Sequence, residues 1–321
     1  MVTKPLPLVT VNDGTKIPFL AYGTGTALFK RSNFDKFDTT TVSYIKTALS
    51  LGYTHLDGAE LYNTEPEIGA AIKESGIPRE KLYITTKVIS NIDNIPAALD
   101  ASLKKLGVDH VDLYLIHSPF FTEDKRRLQK AWKDMEAAQR SGKAKSIGVS
   151  NFLVEHLEAV LEIAEIVPAI NQLEYHPYLQ REKVASFAKS KGITIAAFGP
   201  LSPIRKAKGG PLDPVLERLA KKYGVSEEAV ALRWTIQTGA VAVTTSRKRE
   251  RLQGYLGVLD FELSKGEVEE ITRVGKTKHF RANSWKHDYG DSREEEMRGQ
   301  KEVLLLNKRR RGEVLFRLEA G

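Results

Sequence analysis

The sequence predicts an α/β fold of the (β/α)8 barrel class, with an N-terminal β-hairpin and a C-terminal charged tail. Eight short runs rich in Val, Ile and Leu alternate with amphipathic helical stripes, as parallel strands buried on both faces do. Glycines follow the ends of several helical stripes, where left-handed C-caps are common. The 321 residues exceed the usual length of one domain, but barrels of about 250 residues fold as one domain.

The chain begins with a predicted hairpin. Asn12, Asp13 and Gly14 separate two runs, 6–11 and 17–22, and such a turn joins antiparallel strands. We expect the hairpin to cap the amino-terminal mouth of the barrel. The second arm, 17–22, is counted as the first barrel strand because it leads directly into the loop GTGT.

Helix and strand then alternate to the end of the barrel. The seven further strands are predicted in YTHLD, LYITTK, VDLYLIH, KSIGVS, AINQLEY, ITIAAFG and AVAVTTS. Ser264 and Glu267 have the spacing of a capping box and predict a last helix near 265–274. We therefore expect a barrel domain over 1–275 and a loop and charged tail over 276–321. An open doubly wound sheet is the alternative, but no GxGxxG follows the first strand.

Composition excludes several classes of protein. The chain has no cysteine, which excludes disulfides and cysteine–zinc sites, and we expect no metal. No apolar run approaches the roughly 20 residues of a membrane span. The net charge is +8, and KRRR at 308–311 resembles a nucleic-acid patch, but interleaved aromatic residues are missing. We expect a cytoplasmic monomer or weak homodimer without nucleic-acid or membrane partners.

Polar side chains follow the carboxyl ends of the predicted strands. Asp57 and then Tyr62 follow the second strand, Lys87 the third and His117 the fourth. The later strand ends carry Ser150, Asn151, Gln172, Phe198, Thr245 and Ser246. In a barrel all these ends surround one mouth, which is where barrel enzymes perform their chemistry.

A phenol, an ammonium and a carboxylate together can deliver a proton. A free phenol has a pKa of about 10 and is a poor acid at neutral pH. A nearby ammonium lowers that pKa, and a carboxylate keeps the ammonium charged and in place. The sequence therefore predicts Tyr62 as a proton donor tuned by Lys87 and Asp57, with His117 orienting a substrate oxygen.

A proton donor alone does not reduce a substrate, so an electron source is required. The amides of Asn151 and Gln172 can pair with a carboxamide such as that of nicotinamide. Phe198 offers a flat face against which the same ring can stack. These residues favour a nicotinamide cofactor at the mouth.

Six stretches carry a resemblance to a known family: GYTHLDGAELYNTEPEIG, LYITTKV, DLYLIHSPF, KAKSIGVSNF, AINQLEYHPYLQ and AAFGPLSP. With them the chain resembles the aldo-keto reductases over about residues 8–275. HSPFF and VTTS are most similar to the fungal subgroup that reduces α-keto amides and conjugated polyketones. The resemblance implies NADPH-dependent reduction of a ketone or aldehyde to the alcohol, with hydride from nicotinamide C4 and a proton from Tyr62.

The resemblance also implies roles for individual residues. Asp57, Tyr62, Lys87 and His117 match the catalytic tetrad of the family. The residues it assigns to the cofactor are Gly25, Thr26, Ser150, Asn151, Gln172, Phe198, Leu201, Ser202, Thr245, Ser246, Arg247 and Arg251.

The chain departs from the family pattern at several cofactor positions. Phe198 stands where a stacking Tyr is common, and Thr245 stands where a Lys is usual. Gly254 and Tyr255 replace two polar contacts to adenine. The 2′-phosphate is then expected to meet Ser246 and Arg251, with either Arg247 or Lys248 as a further contact. Several basic groups around one dianion favour NADPH over NADH.

Two other functions are compatible with parts of this sequence. A barrel glycoside hydrolase needs two facing carboxylates, for which Asp57 and Glu174 are the available acids. An NADP(H)-binding regulatory subunit would keep the nucleotide contacts but show little turnover, and the complete tetrad disfavours it.

Two histidines and three aromatic residues lie outside the predicted tetrad and cofactor contacts. His55 and His176 are interpreted as structural, since neither has metal-ligand spacing. Phe120, Phe121 and Trp285 are candidates for lining the substrate mouth.

Overall fold

Eight parallel strands close into a barrel in the computed structural model, which describes residues 5–30 and 36–282. A separate two-stranded sheet precedes the barrel. The strands are β1 (Leu8–Thr10), β2 (Lys16–Pro18), β3 (Leu20–Gly23), β4 (His55–Asp57), β5 (Tyr83–Val88), β6 (Val111–Ile116), β7 (Ala144–Ser150), β8 (Ile170–Glu174), β9 (Thr194–Phe198) and β10 (Val241–Thr244). β3 to β10 follow one another around the barrel, and β10 pairs with β3 to close it. The predicted fold class is confirmed.

Helices cover the outside of the barrel between successive strands. They are α1 (Thr39–Ser50), α2 (Glu65–Ser75), α3 (Ile95–Leu106), α4 (Lys125–Arg140), α5 (Val154–Leu161), α6 (Glu182–Ser190), α7 (Ser202–Arg205), α8 (Asp213–Tyr223), α9 (Glu227–Gln237), α10 (Arg249–Tyr255) and α11 (Lys265–Gly275). Short 3₁₀ turns lie at Glu60–Tyr62, Arg79–Lys81, Ile92–Asn94 and Leu256–Leu259. The predicted apolar stripes face the strands, and Ile45, Leu99 and Trp132 are almost fully buried. Burial of these stripes holds the helix layer on the barrel.

The hairpin lies at the amino-terminal end of the barrel, as predicted. Its strands β1 and β2 pair antiparallel. Asn12 Nδ2 donates to the carbonyl of Pro168, just before β8, over 3.0 Å. Ser146 Oγ, near the start of β7, donates to Asp13 Oδ2 over 2.6 Å. The opposite, carboxyl-terminal mouth is therefore left open by the hairpin.

The second hairpin arm does not run on as one strand over 17–22. β2 ends at Pro18, which has no N–H to donate to a sheet, and β3 begins at Leu20. Between them, the N–H of Phe19 donates to the carbonyl of Pro7, while its own carbonyl accepts from Ala242 N over 2.7 Å. Phe19 is thus the corner between hairpin and barrel, and the one-strand expectation was wrong.

The predicted capping box forms at the last helix. Ser264 Oγ accepts from Glu267 N over 3.3 Å, and Glu267 Oε2 accepts from Ser264 N over 2.8 Å. After α11 the described chain continues to residue 282, and Phe280 N donates to the carbonyl of Tyr178 over 3.2 Å. The domain boundary at 275 stays a prediction, and Trp285 and 308–311 lie outside the described residues.

Within the described ranges, no helix is both long and apolar enough to cross a membrane.

Candidate active site

A buried ion pair lies at the carboxyl end of β4 and β5. The Nζ of Lys87 is 2.6 Å from Asp57 Oδ1 and also donates to the carbonyl of Gly58 over 2.7 Å. Lys87 is fully buried and Asp57 nearly so. Parallel pairing places the ends of neighbouring strands side by side, which is why residues 30 positions apart in sequence meet here.

The second oxygen of Asp57 is held by an amide. Gln172 Nε2, on β8 across the barrel, donates to Asp57 Oδ2 over 2.8 Å. The carboxylate therefore has a cation on one oxygen and a neutral donor on the other. This bond fixes the orientation of the Gln172 amide. Its other polar atom, Oε1, can accept a hydrogen bond from a further group.

Tyr62 is carried by the 3₁₀ turn Glu60–Tyr62, directly beyond β4. Its hydroxyl lies 3.1 Å from His117 Nε2, and the two rings meet edge to face at 5.2 Å. The Lys87 Nζ is 5.1 Å from the centroid of the phenol ring. Phe29 also packs edge to face with the phenol ring, with the two ring centroids 5.7 Å apart. Phenol, imidazole, ammonium and carboxylate are thus brought together.

Gly25 lies against the tip of the phenol. A Cβ at this position would be 2.5 Å from Tyr62 Cζ and 2.8 Å from its hydroxyl. Real Cβ atoms essentially never approach other atoms that closely. The absent side chain at Gly25 therefore makes room for Tyr62, while Thr26 beside it is exposed.

The pKa of Tyr62 does not follow the prediction. Burial, and then the negative charge of Asp57, raise it well above the usual value of 10.0. The lowering expected from Lys87 does not outweigh these two effects, since Asp57, which binds Lys87, also acts on the phenol. Tyr62 therefore carries its proton at neutral pH.

His117 and Lys87 are also shifted by burial. Burial, and then the Lys87 charge, lower the pKa of His117 well below 6.5, so the imidazole is neutral at neutral pH. Burial lowers the pKa of Lys87 as well, but the Asp57 carboxylate opposes this by favouring the ammonium. Of the two groups in contact, 3.1 Å apart, only the phenol then holds a proton that it can give to a base.

Ser150 and Asn151, at the end of β7, form a small network with residues at the ends of the neighbouring strands β6 and β8. Ser150 Oγ donates to the carbonyl of Gln172 over 2.8 Å. Asn151 Nδ2 donates to the carbonyl of His117 over 2.9 Å and to Ser150 Oγ over 3.1 Å. Asn151 has a left-handed φ of 62°, which Asn tolerates better than most residues. The three predicted carboxamide contacts are therefore neighbours in space.

Further predicted cofactor residues follow β9. Phe198 ends that strand and is half-buried, so part of its ring is accessible. Leu201 and Ser202 are buried at the start of α7. All three lie at the carboxyl end of the barrel, like the Tyr62 group.

The predicted phosphate contacts lie between β10 and α10. Ser246 is buried, and its Oγ accepts from Lys248 N over 3.0 Å. Arg247 is exposed and donates to the carbonyl of Ala27 in the loop after β3. Arg251 is exposed on α10, and Thr245 is half-buried. The exposed guanidinium groups suit a phosphate group in charge and accessibility.

Asp57 and Glu174 do not have the arrangement that a glycoside hydrolase requires. Asp57 is bound to Lys87 and Gln172, as described above. Glu174 Oε1 lies 3.3 Å from His176 Nε2 and accepts from Ala282 N over 2.7 Å. Both carboxylates are thus engaged in internal hydrogen bonds, whereas a glycoside hydrolase needs two carboxyl groups directed at its substrate.

The two candidate substrate aromatics lie after β6. Phe120 is half-buried against His156, with ring centroids 5.5 Å apart. Phe121 is half-buried too, and the guanidinium of Arg127 lies 5.4 Å from its ring centroid. Both lie in the loop between β6 and α4.

Phe29 and Glu60 were not predicted from the sequence. Phe29 packs on the phenol, and Glu60 is a buried carboxylate in the same 3₁₀ turn as Tyr62. An acid two residues before the reactive Tyr was the only available signal for Glu60. No pattern distinguished Phe29 from an ordinary loop aromatic.

The barrel, with reactive side chains buried at its carboxyl-terminal mouth, defines an enzyme of the (β/α)8 class. The chain belongs to the aldo/keto reductase family, whose sequence profile matches residues 21–276. It is an oxidoreductase of that family, and the predicted family is confirmed.

Two yeast relatives are similar over most of their length. The NAD/NADP-dependent indole-3-acetaldehyde reductase of Schizosaccharomyces pombe is 43% identical over 271 residues, 84% of this chain and 95% of that protein. The NADPH-dependent alpha-keto amide reductase of Saccharomyces cerevisiae is 39% identical over 295 residues, 88% of this chain and 95% of that protein. These similarities agree with the fungal resemblance seen in the sequence.

A solved structure shares the fold. The crystal structure of an aldo-keto reductase from Bombyx mori in complex with NADP has a TM-score of 0.77 and 32% identity. The match covers 86% of this chain and 95% of that one.

Proposed function

We propose that this protein reduces a ketone or aldehyde to the alcohol with NADPH, and that Tyr62 donates the proton. The observation that carries the proposal is the contact of the half-buried Tyr62 with His117, hydroxyl to Nε2 at 3.1 Å, beside the Lys87–Asp57 pair. The two yeast relatives, whose names state NAD/NADP-dependent and NADPH-dependent reduction, support the same reaction class.

The residues present fit a nicotinamide cofactor. The engaged Nε2 of Gln172 leaves Oε1 to accept from a carboxamide NH2, and Ser150 and Asn151 lie next to it. The accessible face of Phe198 provides a surface for an aromatic ring. A bound nicotinamide supplies the hydride for the carbonyl carbon. Arg251 and its basic neighbours would hold the 2′-phosphate, which is the basis for proposing NADPH.

The remaining chemistry belongs to the side chains at the mouth. Neutral His117 has no proton to give to an alkoxide except at the cost of an anionic ring, so it serves to orient the substrate oxygen. Tyr62, which keeps its proton at neutral pH, gives its hydroxyl proton to the oxygen. The phenolate left behind is stabilised by the Lys87 ammonium, 5.1 Å from the ring centroid.

Asp57 keeps this ammonium available. Without the carboxylate, burial would drive Lys87 towards the neutral amine, which could not stabilise a phenolate. The ion pair therefore matters most after the proton has left Tyr62.

Steady-state turnover tests the proposal. Purified protein is mixed with NADPH and a panel of α-keto lactones, diketones, aromatic aldehydes and sugars, and NADPH absorbance is followed. Continuous consumption with at least one carbonyl class supports the reductase. NADPH binding with at most a single turnover across the panel would instead identify a binding-only regulatory subunit.

A further inference from the structure

Glu60 is a buried carboxylate that the proposed reaction does not use directly. Its Oε1 accepts hydrogen bonds from the backbone N–H groups of Ile89 at 2.6 Å, Ser90 at 2.5 Å and Asn91 at 3.2 Å. Its Oε2 accepts from the side-chain amide of Asn91 at 3.1 Å. Successive backbone N–H groups that converge on one oxygen form a nest for an anion. The carboxylate is thus bound on both oxygens by one short loop.

The two segments that Glu60 joins carry two of the reactive side chains. Glu60 begins the 3₁₀ turn that ends at Tyr62. The loop 89–91 follows β5, whose end carries Lys87. Two further bonds connect the same segments, Gly58 N to the carbonyl of Thr85 at 2.8 Å and Lys87 Nζ to the carbonyl of Gly58 at 2.7 Å. Of these connections between the two segments, the hydrogen bonds of Glu60 are the nearest to Tyr62 in sequence.

The phenol is sensitive to the orientation of this turn. Tyr62 projects from the turn by a long side chain, so a small rotation of the backbone displaces the hydroxyl by more than the backbone itself moves. The turn itself is closed by Tyr62 N donating to the carbonyl of Ala59 at 3.1 Å and by Asn63 N donating to the carbonyl of Glu60 at 3.2 Å, and Lys30 N donates to the carbonyl of Tyr62 at 3.2 Å. None of these three bonds reaches the loop 89–91, so losing the anchor at Glu60 would release the turn from the segment that follows Lys87.

We propose that Glu60 is a positioning residue for Tyr62. By binding the loop 89–91 it fixes the phenol relative to Lys87, so its loss lowers the rate of proton delivery while cofactor binding stays intact. This inference rests on the proposed function, in which Tyr62 is the proton donor.

The variants Glu60→Gln and Asn91→Ala test this role. In Glu60→Gln the new NH2 group faces the side-chain NH2 group of Asn91. Both groups are hydrogen-bond donors and neither can accept, so this bond is lost and the anchor is weakened. The double variant E60Q/N91D restores a donor–acceptor pair with the direction reversed. The matched control is Glu65→Gln: Glu65 is also a buried carboxylate, and it accepts from Thr86 Oγ1 at 2.7 Å.

The measurements are kcat at saturating carbonyl, the solvent isotope effect on kcat, the NADPH dissociation constant and urea unfolding. We expect kcat of Glu60→Gln to fall about tenfold, because sub-ångström misplacement of a reacting group is costly, and the solvent isotope effect to increase. E60Q/N91D should recover kcat to within about threefold of wild type. NADPH affinity should stay unchanged throughout, and Glu65→Gln should lose stability without losing kcat.

A purely structural role predicts a different pattern. If Glu60→Gln and Asn91→Ala lose stability as Glu65→Gln does but keep wild-type kcat and isotope effect, the inference is wrong. If Glu60→Gln does not fold, Asn91→Ala decides by the same criterion. Absence of turnover in the wild-type protein would overturn the proposed function, which is distinguishable from wild-type turnover that Glu60 does not affect.

Discussion

Replacing Gly25 by Ala should displace the phenol of Tyr62. The added Cβ would lie 2.5 Å from Tyr62 Cζ, whereas ordinary contacts begin at 3.4 Å, so the ring must move by about 1 Å. The ring has little freedom to do so, because His117 and Phe29 pack against it at 5.2 and 5.7 Å between centroids. A misplacement of this size costs about 100-fold in the rate of a positioned reaction.

The assay is steady-state carbonyl reduction with NADPH by Gly25→Ala. We expect kcat to fall by about 100-fold, with a smaller effect on NADPH binding. Gly266→Ala is the matched control, since a Cβ there meets nothing within 4 Å, and its activity should equal that of wild type.

A double variant shows whether the effect acts through the phenol. If it does, Gly25→Ala added to Tyr62→Phe should lower the residual rate little further, because both changes remove the same contribution. A Gly25→Ala protein with kcat within about threefold of wild type would refute the reasoning, since a 1 Å shift should then have been felt.

Three further predictions concern stability and coenzyme choice. Lys87→Met should lower the unfolding free energy, measured in urea, by about 3–5 kcal/mol, because Asp57 is left buried without its cation. Adding Asp57→Asn to the same chain should recover part of that loss. Strictly additive losses would contradict the buried pair. Burial lowers the pKa of His55 to about 4, against 6.5 for the exposed side chain, so the unfolded chain binds the proton first and stability is lost as pH falls below 6.5. That loss is about 3 kcal/mol by pH 4, and a His55→Asn variant with an equally steep pH dependence would exclude His55 as its source. Arg251→Ala should weaken NADPH binding by about tenfold or more while NADH changes little, by fluorescence titration, and equal weakening of both would separate the arginine from the 2′-phosphate.

The fold and the position of the mouth were predictable because they depend on repeated local patterns. Apolar runs that end in Asp57, Lys87 and His117 identify strands and their carboxyl ends without any knowledge of tertiary contacts. The barrel order of β3 to β10 then follows from strand succession alone.

Features that depend on distances between remote groups were not predictable. The bond from Gln172 to Asp57 joins positions 115 apart, and the pKa of Tyr62 is a balance of burial and opposed charges whose sign needs coordinates. The anchor at Glu60 uses backbone N–H groups, which every residue but proline has and which therefore leave no sequence signal. The break at Phe19 was missed because Pro18 interrupts the ladder without interrupting the apolar run.

A single substitution, Tyr62→Phe, removes one oxygen atom and keeps the ring that packs on Phe29 and His117. Its NADPH dissociation constant and its carbonyl reduction rate should be measured on the same preparation. Wild-type coenzyme affinity with a rate lowered by at least about 100-fold is the expected result, the usual size for loss of a positioned proton donor. Turnover near that of wild type would contradict the assignment of the proton to this phenol.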